Sequence, residues 1–227
     1  MAVFELPFGE GTMSVDLPDC SVTVAEPAGG KAVEVRPAAE AALADSLGPD
    51  LTTLVDPDDT VAIVVTDVTR ATPDGILVDV LLSELERAGI YREQVTVIVG
   101  LGLHRPMTEE ELTEMLGKHA DLAVNHDPDD IVEVGTVDGT PVELNRTVAR
   151  ADRVLSTGMV EPHQYAGFSG GGKTVAIGAG GEALIRYTHG PDMLSEEGVR
   201  LGCIDDNPFR DAIDAAGEAC RVEFCLN

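Results

Sequence analysis

Between Glu161 and Thr174 the chain reads Glu-Pro-His-Gln-Tyr-Ala-Gly-Phe-Ser-Gly-Gly-Gly-Lys-Thr, which crowds a histidine, four glycines and a lysine into one short stretch. Glycines at 167, 170, 171 and 172 let the backbone approach a ligand closely and can present successive N–H groups, an arrangement suited to phosphate. Lys173 stands where that cradle ends. The chain's other lysines are Lys31 and Lys118, so a lysine in the most glycine-rich loop is read as a chemical group and not as a solubility charge.

Residues 167–174 also fit G-x-x-x-x-G-K-[ST], the phosphate loop of nucleotide hydrolases. Such a loop joins a strand directly to a long helix, whereas here the preceding apolar run, Arg153 to Ser156, stops well short of the first glycine. Glycines 178, 180 and 181 then break the following segment, so any helix there is short. Val199 to Asp205 is the best case for a magnesium-binding strand end, and a weak one.

Of the five histidines, three follow loops where a ligand would sit: His104 after an apolar run, His163 before the glycines and His189 at a helix end. A neutral imidazole can act as a base or a metal ligand. His119 and His126 are read as structural. Asp67 ends another apolar run, and either caps backbone N–H groups or touches a ligand. Arg70 and Arg105 are the cations expected to meet an anionic substrate. Glu109, Glu110 and Glu111 are read as first-turn charges favoured by the helix dipole.

These residues need a scaffold. Val61 to Val65 and Val95 to Val99 are continuous apolar runs without alternation, the mark of strands buried on both faces. The first is followed by a helix over Ile76–Ala88, with Thr72 expected as N-cap, Pro73 at the first helical position and Gly89 closing it. The second leads through Gly100–Pro106 to a helix opened by a Thr108/Glu111 capping box. This repeated strand–loop–helix order predicts an α/β fold, a Rossmann-like and mostly parallel sheet with helices on both faces. Ligands of such sheets lie beyond the carboxyl ends of the strands. Hairpins are expected over Val3–Leu17 and Ile131–Val148, and helices over Pro37–Leu47, Glu182–Tyr187 and Pro208–Ala219. Arg221 to Leu226 begins a strand that needs a partner.

With 227 residues, 44% of them apolar, the chain suits one domain. It has 41 acidic against 15 basic residues, a formal charge of −26. That sign argues against nucleic-acid binding. A lysine-poor surface of scattered acids is the expectation for a halophilic protein in a salt-rich cytoplasm, where self-repulsion is screened. No run of about twenty apolar residues and no basic-then-apolar leader is present, so neither a membrane span nor secretion is expected. Cys20, Cys203, Cys220 and Cys225 lack zinc-site spacing. They are expected to be reduced and mostly buried, a Cys220–Cys225 bridge being the alternative.

Four segments, Thr66-Asp67-Val68-Thr69-Arg70-Ala71-Thr72-Pro73, Gly102-Leu103-His104-Arg105-Pro106-Met107-Thr108, the stretch Glu161–Lys173 and Tyr187-Thr188-His189, together resemble the nickel-dependent lactate racemase family. Their order and spacing make the joint resemblance specific, and it covers most of the chain from about residue 60. The family uses a nickel-pincer nucleotide, a pyridinium mononucleotide whose thioamide and thiocarboxylate sulfurs hold nickel. The resemblance implies that Lys173 bears the covalent thioamide link and that His189 is the protein ligand to nickel. It implies His104 and His163 as the acid–base pair, with Asp67 and Arg70 in the cofactor and substrate pocket. The loop Ser169, Gly170, Gly171 and Gly172 would receive the cofactor phosphate.

The implied reaction is racemisation of a small 2-hydroxy acid by hydride abstraction and return, with one imidazole serving each enantiomer. Two features depart from the pattern. Ile177 stands where the family commonly has proline, and the family's second, C-terminal domain would begin after about residue 222. The 227 residues are thus expected to be a single cofactor-binding domain, completed by a second domain or a separate polypeptide. The competing readings are a phosphate-loop ATPase or kinase and a non-catalytic module that holds the cofactor.

Overall fold

The computed structural model of the protein describes residues 3–9, 11–25 and 29–227. They fall into two compact units, Met1–Val33 and Glu34–Asn227. The first holds the antiparallel hairpin β1 (Val3–Phe8) and β2 (Gly11–Asp16), as its loose alternation predicts; Glu10, in the expected turn, lies outside the described residues.

The second unit carries every candidate site residue. In chain order it comprises α1 (Val35–Ala44), α2 (Leu51–Leu54), β3 (Val61–Val65), α3 (Asp74–Arg87), β4 (Val95–Val99), α4 (Glu109–Leu116) and β5 (Ala123–Asn125). There follow the hairpin β6 (Ile131–Val137) and β7 (Thr140–Asn145), α5 (Arg146–Arg150), β8 (Arg153–Thr157) and a minimal hairpin β9 (Pro162–His163) and β10 (Gly167–Phe168). The unit closes with α6 (Gly172–Gly178), α7 (Glu182–Thr188), α8 (Pro191–Leu194), α9 (Pro208–Ala219) and β11 (Val222–Leu226).

Five strands form the central sheet in the order β11-β8-β3-β4-β5, and all its pairings are parallel. The mostly parallel, Rossmann-like α/β fold expected from the sequence is therefore present. From β3 the chain steps one way to β4 and β5, then returns to the other side for β8 and β11. The topological switch point thus lies between β3 and β8, the position at which such sheets bind ligands.

The unbroken apolar character of β3 follows from its two buried faces. Val61, Ile63 and Val65 pack into a cluster with Leu77, Leu81 and Leu85 of α3. Ala62 and Val64 face the other way, into a cluster with Val175 and Ala176 of α6 and Ile213 and Ala216 of α9. Burying each of the larger side chains stabilises the fold by about 1.5–3 kcal/mol.

Several local expectations are corrected. α3 starts at Asp74 with Pro73 as N-cap and no side-chain cap, while the Thr72 hydroxyl is buried without a hydrogen-bond partner. The final strand is not unpartnered, because β11 pairs in parallel with β8. Cys220 is buried but Cys20 is exposed, and all four thiols are free. The Thr108/Glu111 capping box forms as expected. Among the described residues no helix is long and apolar enough to cross a membrane.

Candidate active site

A cleft of about 270 Å³ opens at the carboxyl edge of the sheet. β3 delivers Thr66, Asp67 and Arg70 to it; β4 delivers the loop from Gly100 to His104; β8 delivers Met159, Glu161 and His163. α6 adds Lys173 and Thr174, and the end of α7 adds His189. Three strand-end loops far apart in sequence therefore converge because parallel strands all present their carboxyl ends to one side, and α6 and α7 close on them.

His104 is held by Asp67. Its Nδ1 lies 2.5 Å from Asp67 Oδ2, while Asp67 Oδ1 accepts from the Thr69 amide at 3.0 Å and the Thr69 hydroxyl at 2.5 Å. Asp67 is thus both a local cap and a partner of a cleft side chain. Burial pushes its carboxyl up, but the hydrogen bonds from Thr69 and His104 outweigh burial and hold it below its ordinary value. The His104 ring is 54% exposed, so its Nε2 is open to a ligand.

Lys173, second residue of α6, is half-buried. Burial, and then the nearby Arg70 and Arg210 guanidinium groups, bring its amine down to about 8, which raises the fraction available as a nucleophile at neutral pH. His163 is lowered to about 4 by burial and by the positive charges of Lys173, His189 and Arg70. Its Nδ1 accepts from the amides of Tyr165 at 3.2 Å and Ala166 at 3.1 Å. His189 is lowered chiefly by burial and further by Lys173, against a hydrogen bond to the Ile185 carbonyl that acts the other way.

That bond, from Nδ1 at 3.1 Å, fixes the ring proton on Nδ1 and leaves Nε2 as a lone pair, the preparation usual for a metal-bound imidazole. Phe209, fully buried, supports both inner histidines: its ring centroid lies 4.9 Å from that of His189 and 6.1 Å from that of His163. The sequence gives no sign of this, since Phe209 reads as an ordinary core residue of α9.

A second feature hidden in the sequence is Asp74. It is buried behind the cleft residue Thr66, whose hydroxyl it receives at 2.8 Å together with that of Thr157. Burial raises it to about 6, opposed by those two hydroxyls. The unpartnered Thr72 hydroxyl belongs to the same wall, and is a donor that a ligand could satisfy.

Not every expected residue reaches the cleft. Arg105 is clamped by both carboxylate oxygens of Glu111, at 2.8 and 2.6 Å, and does not line the cavity; of the two expected cations only Arg70 does. Ser169 and Gly170 line it, whereas Gly171 and Gly172 do not. The Gly171 amide donates to Asn227 Oδ1 at 3.3 Å. A Cβ on Gly172 would meet Gly217 Cα at 3.1 Å, so this glycine serves the packing of α6 on α9. Nor does the loop have phosphate-loop geometry, because β9 and β10 intervene after β8 and α6 spans only 7 residues. His119 and His126 are structural: His119 bridges Asp79 and Arg92, and His126 is buried against the Gly180 carbonyl.

A family profile described as the lactate racemase N-terminal domain matches residues 8–202. The chain belongs to the lactate racemase N-terminal domain family. It is 30% identical over 242 residues to lactate racemase of Thermoanaerobacterium thermosaccharolyticum, covering 100% of this chain and 56% of that protein. It is 27% identical over 240 residues to lactate racemase of Lactiplantibacillus plantarum, with the same coverage. The structure of the Thermoanaerobacterium lactate racemase apoprotein superposes with a TM-score of 0.81 at 24% identity, over 99% of this chain and 55% of that one. A protein from Thermotoga maritima matches with a TM-score of 0.62 at 25% identity, over 82% and 47%.

This lactate racemase family member therefore spans a little over half the length of its curated relatives. Among its described residues no group of three or more His, Cys, Asp or Glu side chains is placed to hold a metal ion. His189 could be one ligand, and a metal held there would need its remaining donors from a ligand that brings them.

Proposed function

We propose that the chain is the cofactor-binding part of a 2-hydroxy-acid racemase, with a nickel-pincer nucleotide linked to Lys173 and its nickel bound by His189. The observation that carries this reading is the convergence, in one cleft at the switch point, of a half-buried low-pKa amine and three imidazoles. The residues fit such a group: an amine ready to form a covalent bond, one imidazole with Nε2 free, and an unpartnered hydroxyl at Thr72. Ser169 and Gly170 stand where a phosphate would enter, with Gly171 and Gly172 fixing the loop behind them. When bound, the group supplies a hydride acceptor.

The chain's own residues supply the rest. His104 and His163 serve as the acid–base pair at the substrate hydroxyl, each within the cleft wall. Arg70, which lines the same cleft, holds the substrate carboxylate against the repulsion of a chain carrying −26. Lactate is the substrate suggested by the names of the relatives. Substrate selection and closure are assigned to a second domain, since the relatives extend well beyond the matched part.

Nickel retention after coexpression with the cofactor pathway tests the metal assignment. The chain should carry close to one nickel, His189→Ala should lose it, and His104→Ala should keep it. Equal nickel in the chain and in His189→Ala would remove His189 from its role.

A further inference from the structure

The three cleft histidines differ in what holds their buried nitrogen, and the difference sets which nitrogen carries the proton. His104 Nδ1 faces a carboxylate, Asp67 Oδ2 at 2.5 Å. A carboxylate only accepts, so the neutral ring keeps its proton on Nδ1 and leaves a lone pair on Nε2. His163 is the reverse. Two backbone N–H groups, of Tyr165 at 3.2 Å and Ala166 at 3.1 Å, point at its Nδ1. Amide N–H groups only donate, so a proton on that nitrogen would face two others and the neutral ring carries its hydrogen on Nε2.

We propose that Asp67 and the 163–166 turn hold His104 and His163 in opposite neutral tautomers, so that His104 meets a ligand as a base and His163 as a hydrogen-bond donor. Asp67 is a positioning residue here, as are the two amides. This deepens the racemase reading and rests on it only for the identity of the ligand, a 2-hydroxy or 2-keto acid whose oxygen the two rings would share. His104 takes a hydroxyl proton onto Nε2, becoming an imidazolium that Asp67 stabilises. His163 donates its Nε2–H to an oxygen bearing negative charge. For His163 to act as base in its turn, Nδ1 must gain a hydrogen, which requires the Tyr165 and Ala166 amides to turn away. The two imidazoles that a racemase needs are therefore unequal in the resting chain, and the turn after β9 is what must move to exchange their roles.

The hairpin carrying that turn is constrained. Gly167, in its first position after the turn, has φ +74° and a Cβ there would lie 2.2 Å from the Cys203 carbonyl oxygen. Asn207 Nδ2 also donates to the Tyr165 carbonyl at 2.8 Å. The Asn207 bond fixes the peptide plane that carries the Ala166 amide, and the close approach to Cys203 leaves no room for a side chain at Gly167.

Long-range ¹H–¹⁵N spectra of the unloaded 227-residue chain, with ¹⁵N-labelled histidine at about pH 8 where neutral rings dominate, read each tautomer directly. His163 should show an unprotonated Nδ1 and a protonated Nε2, and His104 the opposite pattern. His119 and His126, held through Nε2–H by Asp79 and the Gly180 carbonyl, serve as internal references for the Nε2–H pattern. In Asp67→Ala the His104 pattern should shift away from Nδ1–H, while that of His163 stays. The same tautomer on both rings, or an unchanged His104 in Asp67→Ala, would overturn the proposal. If Asp67→Ala does not fold, the wild-type spectrum alone decides. Because no cofactor is needed, the tautomers can fail while the racemase reading stands, and the reverse.

Discussion

Replacing Asp74 by asparagine isolates a buried acid that is hydrogen-bonded to the cleft residue Thr66. In the native chain this carboxyl is raised from 3.8 to about 6, mainly by burial, so the folded state holds a proton that the unfolded state releases. Protonation therefore favours folding below about pH 4, and that contribution is lost as pH rises through about 6. At 1.36 kcal/mol per pH unit the loss amounts to about 3 kcal/mol by neutral pH. Asp74→Asn cannot ionise, although its amide must rearrange the bonds to Thr66 and Thr157, which adds a constant offset. The assay is urea unfolding of both proteins at fixed ionic strength from about pH 3.5 to about pH 8. The stability of the native chain relative to Asp74→Asn should fall by about 3 kcal/mol across that range. A difference independent of pH would show that Asp74 is not a buried proton-holder, and would refute the burial argument for this carboxyl.

Two other outcomes follow from the geometry. Gly167→Ala should destabilise the chain by about 1–3 kcal/mol, since it adds a side chain at φ +74° against the Cys203 carbonyl; an unchanged thermal midpoint would contradict that packing. With ¹³C-labelled lysine, the Lys173 side chain should titrate near 8 and move upward in Arg70→Ala, which removes a neighbouring charge; a titration at the ordinary lysine value of 10.5 in the native chain would contradict its burial.

Much of the scaffold is legible because its signals are local. Val61–Val65 and Val95–Val99 read as doubly buried strands with their observed limits, and Thr108 with Glu111 reads as a capping box. The gathering of Asp67, His104, His163, Lys173 and His189 in one cleft follows from the parallel topology once each is placed after a strand or at a helix end. What escapes is whatever depends on partners far along the chain. Asp74 is buried against Thr157, 83 positions away, and Phe209 underlies His163 and His189 from a helix that reads as plain core.

Competition between local partners explains the other differences. Arg105 looks free for a substrate but is satisfied by Glu111 in the first turn of α4. Thr72 has the composition of an N-cap, yet its hydroxyl faces the cleft wall while Pro73 takes the cap position. The strands β5, β9 and β10 span only 3, 2 and 2 residues, too short for alternation to declare them. Gly171 and Gly172 illustrate a different limit: glycine content marks close backbone approach, but not whether the approaching group is a ligand or, as for Gly172, the neighbouring helix.

Peptide mass spectrometry of the chain coexpressed with the enzymes that make the nickel-pincer nucleotide tests the central claim most directly. A mass addition confined to the peptide containing Lys173, and absent from Lys173→Ala, is the predicted result. An unmodified Lys173 in protein from cells that produce the cofactor would contradict it.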